Sequence, residues 1–458
     1  MAETDTDETS NLITKPSPDE PMGEVITTMG DPSQQKRNII AIEGLRTILC
    51  TQIIIVHTGG GLTGPTATNF FAERYAWMLN NMQASCHCFL ILSGFVTHLA
   101  ARSRPAPSTI YGQGLYFVKK WVRLAPIYYL TYVLTALINY GISSAQTMPA
   151  VLAFFGVQSM VPFDIDGVYV PMAFMIHMWF VSTLMFSLFM YPFMLRMIRY
   201  FDISGNPGRT LCTLLGFLTF EFLVGVVGMW PGWAIPGKNS DGYHRDYNGA
   251  LVWGESYSGY SHFSPVVMLT FLSGVLIAEL AQSMSEAWRD SRIWRYADLT
   301  CLLFFLYVTP LLESNQTAVM SCMCLAYRPA QLLWCLSLAC TSDGFFTPFF
   351  SHPSISSLGK YSYAAYALQF VALHYMPYYY SGPKTAVAHG TALITHVFLT
   401  WVFATVASEC VEAPVAKVAN QWIKRYLDPE DPPGKSKLSH DPKIGIPTEH
   451  PLLPSPRV

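Results

Sequence analysis

Three ionisable side chains fall within one apolar stretch near the start of the chain: Glu43, Arg46 and His57. At about 100° per residue, the eleven positions from Arg46 to His57 close to within about 20° of whole helical turns, and the fourteen from Glu43 to within about 40°. A helix here therefore carries all three on one face, with His57 roughly 16 Å beyond Arg46 along the axis. Glu43 and Arg46 are also i,i+3 neighbours and able to pair. Ionisable groups are costly in a hydrocarbon environment, and such residues default to functional candidates. A lone histidine there reads as a packed polar group. An aligned carboxylate, guanidinium and imidazole read as a catalytic seam: His57 as proton acceptor, Arg46 to orient it, hold an anionic substrate or meet developing negative charge, and Glu43 to hold Arg46. The alternative reading of the stripe is a polar seam that ties helices together.

The elements that must position this seam are membrane helices. Of 458 residues, 51% are hydrophobic and only 13% charged, about half the charge of a soluble domain. That balance excludes an ordinary soluble enzyme, a disordered protein and a basic nucleic-acid binder. Residues 1–37 and 428–458 read as disordered tails around a membrane domain of residues 38–427. Within it, about ten apolar stretches match a hydrocarbon core of about 30 Å, near 39–58, 83–101, 124–142, 170–195, 211–230, 264–282, 297–313, 329–347, 361–380 and 387–409. The run 149–161, bracketed by Pro149 and Pro162, reads as re-entrant or interfacial. The expected fold is an all-α integral membrane protein with about ten transmembrane helices in one bundle. With the N-terminus in the cytosol, 22 of the 28 Lys and Arg fall on the cytosolic side. Five (Arg74, Lys238, Arg245, Arg328 and Lys384) fall opposite, as the positive-inside rule demands. Both termini are then cytosolic. The acidic start lacks the basic and apolar regions of a signal peptide, so insertion uses the first helix.

Other chemistry-bearing residues read less sharply. Cys86-His87-Cys88 and Cys322-Met323-Cys324 are spaced too tightly for a zinc knuckle, and no metal is expected. His98, His374 and His396 read as packed or channel-lining groups, and Glu221 is ambiguous. The stretch 231–262 is the longest expected outer loop, and its aromatic residues suit either an acceptor molecule or a membrane-interface belt. The sequon Asn315-Gln316-Thr317 falls on the outer side, a glycosylation candidate in an endomembrane or plasma-membrane protein.

Five motifs in order then resemble the acyltransferase 3 family of membrane-bound enzymes. Ala41-Ile42-Glu43-Gly44-Leu45-Arg46, then ten residues, then His57, resembles the family's opening helix. Phe89-Leu90-Ile91-Leu92-Ser93-Gly94-Phe95 is similar to its second-helix signature. His177-Met178-Trp179, trailed by Tyr191-Pro192, resembles its His-x-Trp motif. Gly359-Lys360-Tyr361-Ser362-Tyr363-Ala364-Ala365-Tyr366 and Glu412-Ala413-Pro414 resemble its closing motifs. The chain departs from the pattern at three places. Lys120 stands with Arg123 where the family has an Arg-x-x-Arg pair, Leu184 stands where many members are acidic, and Gln369 replaces a common histidine.

The resemblance implies transfer of an acyl group, usually acetyl, from acetyl-CoA or another acyl-CoA donor to a hydroxyl acceptor on a glycan, lipid or small metabolite. It assigns His57, Arg46 and Glu43 to catalysis. Lys119, Lys120 and Arg123 sit where coenzyme A phosphates would arrive, and His177, Trp179, Ser93, Tyr363 and Tyr366 become substrate-site candidates. Two rivals are a polytopic transporter, which would favour two related halves that the sequence does not display, and a catalytically inactive receptor.

Overall fold

The computed structural model describes residues 32–62, 82–102, 107, 109–138, 146–161, 164–165, 168–172, 174–175, 177–228, 263–289, 291–312, 316–341, 344–374 and 386–427. The helices are α1 (Pro32–Leu62), α2 (Met82–Ala101), α3 (Ile110–Ile138), α4 (Thr147–Phe154), α5 (Trp179–Tyr200), α6 (Pro207–Gly228), α7 (Ser264–Ser283) and α8 (Glu286–Arg289). They continue with α9 (Ile293–Leu312), α10 (Gln316–Cys340), α11 (Thr347–Phe350), α12 (Pro353–Gly359), α13 (Ser362–His374), α14 (Ala386–Ala407) and α15 (Ala413–Tyr426). A π-helical turn at Ser408–Glu412 joins the last two. Asp164–Ile165 and Val168–Tyr169 form a two-residue antiparallel pair, too small to alter an all-helical architecture.

A helix occupies each of the ten expected stretches. Among the described residues, five segments are long and apolar enough to cross a membrane: Ile40–Thr58, Ile110–Ile138, Trp179–Tyr200, Ser264–Ser283 and Gly390–Tyr426. The expected count of about ten is not confirmed: among the described residues only these five segments qualify. The outward faces suit lipid: Leu215, Phe220, Ile394, Phe398 and Val406 are exposed with no polar neighbour needed to solvate them. The 149–161 segment folds as the short α4 followed by a 3-10 turn, as a piece that does not cross would. Residues 32–37, expected in the N-terminal tail, belong to α1. The rest of both tails, the 231–262 loop and Asn315 lie outside the described residues.

Glycines set the tightest helix approaches. A Cβ on Gly94 would lie 2.0 Å from the Phe271 carbonyl oxygen, and one on Gly274 would lie 2.0 Å from that of Ile91. Backbone contact between α2 and α7 therefore needs a glycine from each helix, the small-residue packing typical of membrane interfaces. The same logic seats α1. A Cβ on Gly44 would meet the Phe350 oxygen at 1.8 Å, and one on Gly359 would meet the Glu43 oxygen at 2.3 Å. The glycines of three motifs thus serve packing.

At the far end, α15 presents Val415, Val418, Trp422 and Tyr426 exposed on one face. Lys417 and Lys424 occupy the other face and Arg425 its edge, the pattern of a helix lying at a membrane surface.

Candidate active site

The α1 face carries its three groups as the spacing required, in two separate places. At one end Arg46 Nη1 donates to both Glu43 carboxylate oxygens, at 2.9 and 3.1 Å, and its guanidinium lies 5.8 Å from the Phe89 ring centre. About a quarter of each side chain of this pair is exposed, so it is poised at an opening rather than locked in a core. Three residues of α1 then tie it along α12 and α13. Thr47 Oγ1 donates to the Ile355 oxygen at 2.8 Å, Cys50 Sγ to the Ser362 oxygen at 3.3 Å, and His57 meets Gln369. Arg46 does not orient His57, as the sequence left open; the two are held by different elements.

His57 is set by α13. Its Nδ1 lies 2.7 Å from Gln369 Oε1, and its ring packs on Phe370 with centres 4.7 Å apart. The other face of this arrangement is His177, which stacks on the same Phe370 at 4.8 Å and 29°. His177 Nε2–H donates to the Ala367 oxygen at 2.7 Å, and the Tyr366 hydroxyl donates to the His177 carbonyl. One phenyl ring thus lies against both family-motif histidines, and four residues of α13, Tyr366, Ala367, Gln369 and Phe370, organise the pair. Two ring nitrogens remain unengaged among the described residues: His57 Nε2, on a half-buried side chain, and His177 Nδ1, on a buried one. A nitrogen lone pair without a partner beside apolar rings is what a proton acceptor needs.

The remaining candidates divide. Trp179 is buried at the start of α5, where its carbonyl accepts from Ser159 Oγ at 3.0 Å. Ser93 spends its hydroxyl on the Phe89 oxygen of its own helix, at 2.8 Å. Tyr363 donates to the Leu124 oxygen at 3.0 Å, joining α13 to α3 one residue from Arg123. These contacts make Tyr363 and Ser93 framework residues around the site. On α3, Lys119 and Arg123 are exposed, and Lys120 lies half-buried, 5.6 Å from the Tyr116 ring centre. Lys360 sits at the same junction. Its hydrogen bonds with Tyr361 and with Glu409, at 3.2 Å, hold its ammonium pKa above the usual lysine value. Arg46, Lys360 and Arg123 are therefore carried by directly linked elements at one end of the bundle.

Two polar centres escaped the sequence reading. The first surrounds Glu279, fully buried on α7. It accepts from His98 Nε2 at 2.6 Å, Arg102 Nη2 at 2.9 Å, Ser204 Oγ at 2.8 Å and the Gly205 N–H at 3.1 Å. Gly205 reaches it from a left-handed turn, φ +79°, a conformation suited to glycine. Glu279 interrupts the apolar run 264–282, and the rule that singled out Glu43 applies to it equally. The second centre corrects an expectation. Arg328, expected as an outer flank, lies inside α10 with 1% exposure, paired to Glu221 at 2.9 Å and donating to His87 Nδ1 at 2.8 Å. Thr270 completes it by donating to Glu221 at 3.2 Å. His87 thus has an arginine partner, Cys86 and Cys88 are buried, and the described residues contain no group of three potential metal ligands.

The described residues form an apolar helical bundle with a histidine pair on a shared aromatic ring and cations at one end. Comparison with protein families supplies the class: the acyltransferase 3 profile, described as an acyltransferase domain, matches residues 39–411. The chain belongs to this family and is a membrane acyltransferase. No curated protein and no solved structure matches it.

Proposed function

We propose that the protein is an O-acyltransferase that moves an acyl group, acetyl in the simplest case, from an acyl-CoA thioester to a hydroxyl of a glycan, lipid or small metabolite. The observation that carries this reading is His57: one ring nitrogen is held by Gln369 and the other has no partner among the described residues. In the reaction His57 Nε2 takes the acceptor hydroxyl proton as the oxygen attacks the thioester carbonyl. When the tetrahedral intermediate collapses, the same proton passes to the leaving thiolate. The base thus returns to its starting state in each cycle.

The separation of about 16 Å between Arg46 and His57 divides their roles. Arg46 is too far to stabilise an oxyanion at the base. It suits the anionic end of the donor, with Glu43 fixing its direction and the extended pantetheine arm reaching along α1 towards His57. Lys120, Arg123 and Lys119 extend the positive field at the same end, where a cytosolic donor would arrive.

The test uses purified full-length protein in proteoliposomes with acetyl-CoA and a panel of hydroxyl acceptors. Free coenzyme A thiol is measured together with acetylated product. Wild type should release thiol in step with product, and His57→Ala should lose about a hundredfold to ten-thousandfold in rate while still inserting and binding donor. Turnover of His57→Ala at the wild-type rate would remove the base assignment.

A further inference from the structure

Gln369 stands where family members commonly carry a histidine, and its bonding is not interchangeable with that of a histidine. Its amide has two distinguishable ends. Nε2–H donates to the Tyr366 carbonyl oxygen at 2.8 Å, one turn back on α13. That bond fixes the orientation of the amide: reversing it would set two acceptor oxygens against each other at Tyr366. Oε1 therefore faces His57, and an oxygen can only accept. His57 Nδ1, 2.7 Å away, must be the protonated nitrogen. The neutral imidazole carries one proton, so Nε2 holds the lone pair.

A second layer fixes the backbone beneath this amide. His396 on α14 donates from Nε2 to the Gln369 carbonyl oxygen at 2.7 Å. Its Nδ1 is in turn engaged by the Thr58 hydroxyl, from the residue following His57 on α1. The loop of contacts runs Thr58, His396, Gln369, His57, and closes on adjacent residues of α1. Phe370 blocks one face of the imidazole. A half-turn of the ring would put Cδ2 where Nδ1 stands, which breaks the Gln369 bond and offers nothing in return.

We propose that Gln369 is the positioning residue that holds the His57 proton on Nδ1 and thereby makes Nε2 the base, with His396 and Thr58 bracing it. This rests on the acyltransferase reading only for its consequence; the tautomer itself is a property of the resting protein. Gln369 exchanges no proton. In the transfer step the acceptor O–H bond breaks, the proton joins Nε2, and the Nδ1–H bond to Oε1 persists through the imidazolium. The proton then leaves Nε2 for the thiolate sulfur. An amide suits this place because it selects the tautomer without adding a charge among apolar helices. A carboxylate would also accept from Nδ1–H but would favour the imidazolium.

The deciding measurement is nitrogen NMR of histidine-labelled, full-length wild-type protein in lipid nanodiscs, with the His57 signals assigned by their loss in His57→Gln. The proposal expects a protonated, pyrrole-type Nδ1 and a pyridine-type Nε2 at His57. A protonated Nε2 in the neutral ring would overturn it, whatever reaction the protein catalyses. Once transfer is established, two variants add independent readings. Gln369→Leu should lower turnover by on the order of 10- to 100-fold with donor affinity unchanged, and unchanged turnover would contradict the proposal. Gln369→Glu should move the acidic limb of the pH–rate profile to higher pH, because a stabilised imidazolium gives up its proton only at higher pH. A limb that stays in place would also contradict it. Absence of transfer with every donor and acceptor would count against the acyltransferase reading alone.

Discussion

His57 and His98 lie on adjacent helices, and each meets its partners within the helical bundle, but the two are bonded in opposite ways. His98 is fully buried with both nitrogens engaged: Nε2 on Glu279 at 2.6 Å and Nδ1 at 3.1 Å from the Tyr191 hydroxyl. Its carboxylate partner is saturated by three further donors from α2 and the α5–α6 turn. That is a lock, in which every polar atom is spent on joining elements. His57 has one nitrogen tied and one without a partner among the described residues, on a side chain that is not fully buried. The difference separates structural from chemical use of one residue type: what matters is not the partner a histidine has but the lone pair it keeps.

Breaking the lock should have the largest effect on stability. Glu279→Leu leaves Arg102 and His98 without their acceptor, and removing one member of a buried ionic cluster costs about 3–5 kcal/mol. Thermal unfolding of the purified protein should show a lower midpoint, with Glu279→Gln intermediate. The next effect concerns the contact that brings the two helices of the lock together. Gly94→Val places a side chain where a single Cβ would already lie 2.0 Å from a backbone oxygen. It should cost about 1–3 kcal/mol, or prevent assembly of α2 on α7. Yield of folded protein and thermal midpoint would both report this.

The smallest effect belongs to the cations of α3. Replacing Lys120 and Arg123 together by Gln removes charges that solvent screens, worth about 1 kcal/mol in all, or roughly fivefold in donor Kd. Equilibrium binding of an acyl-CoA should show that shift with little change in thermal midpoint. An unchanged Kd would return these residues to the role of membrane-flanking charges.

Legibility in the sequence followed the range of the interactions. The α1 stripe was readable because helical periodicity is local: Glu43 and Arg46 pair as their spacing required, and His57 shares their side. Five motifs in order identified the family. The partners of His57 were not readable, because Gln369 and Phe370 come from more than 300 positions away and nothing local marks an amide as the orienter of an imidazole. Gln369 was visible only as a departure. Arg328 was misplaced for a related reason. The apolar stretch near 329–347 leaves Arg328 outside it, whereas α10 begins at Gln316 and Arg328 is buried against Glu221. Glu279 went unread although the rule that intramembrane acids are functional or paired covers it, and its four donors could be found only in three dimensions.

The most direct test sets the two histidines against each other in one experiment. His57→Gln and His98→Gln are purified side by side in the same lipid, and acyl transfer from acetyl-CoA is measured together with thermal midpoint. A crossed outcome is predicted. His57→Gln keeps the wild-type midpoint and loses at least about a hundredfold in turnover, because an amide hydrogen-bonds but takes no proton. His98→Gln lowers the midpoint and retains turnover per folded molecule. Wild-type turnover in correctly inserted His57→Gln would contradict the account, and His57 would then belong with His98 among the residues that only join helices.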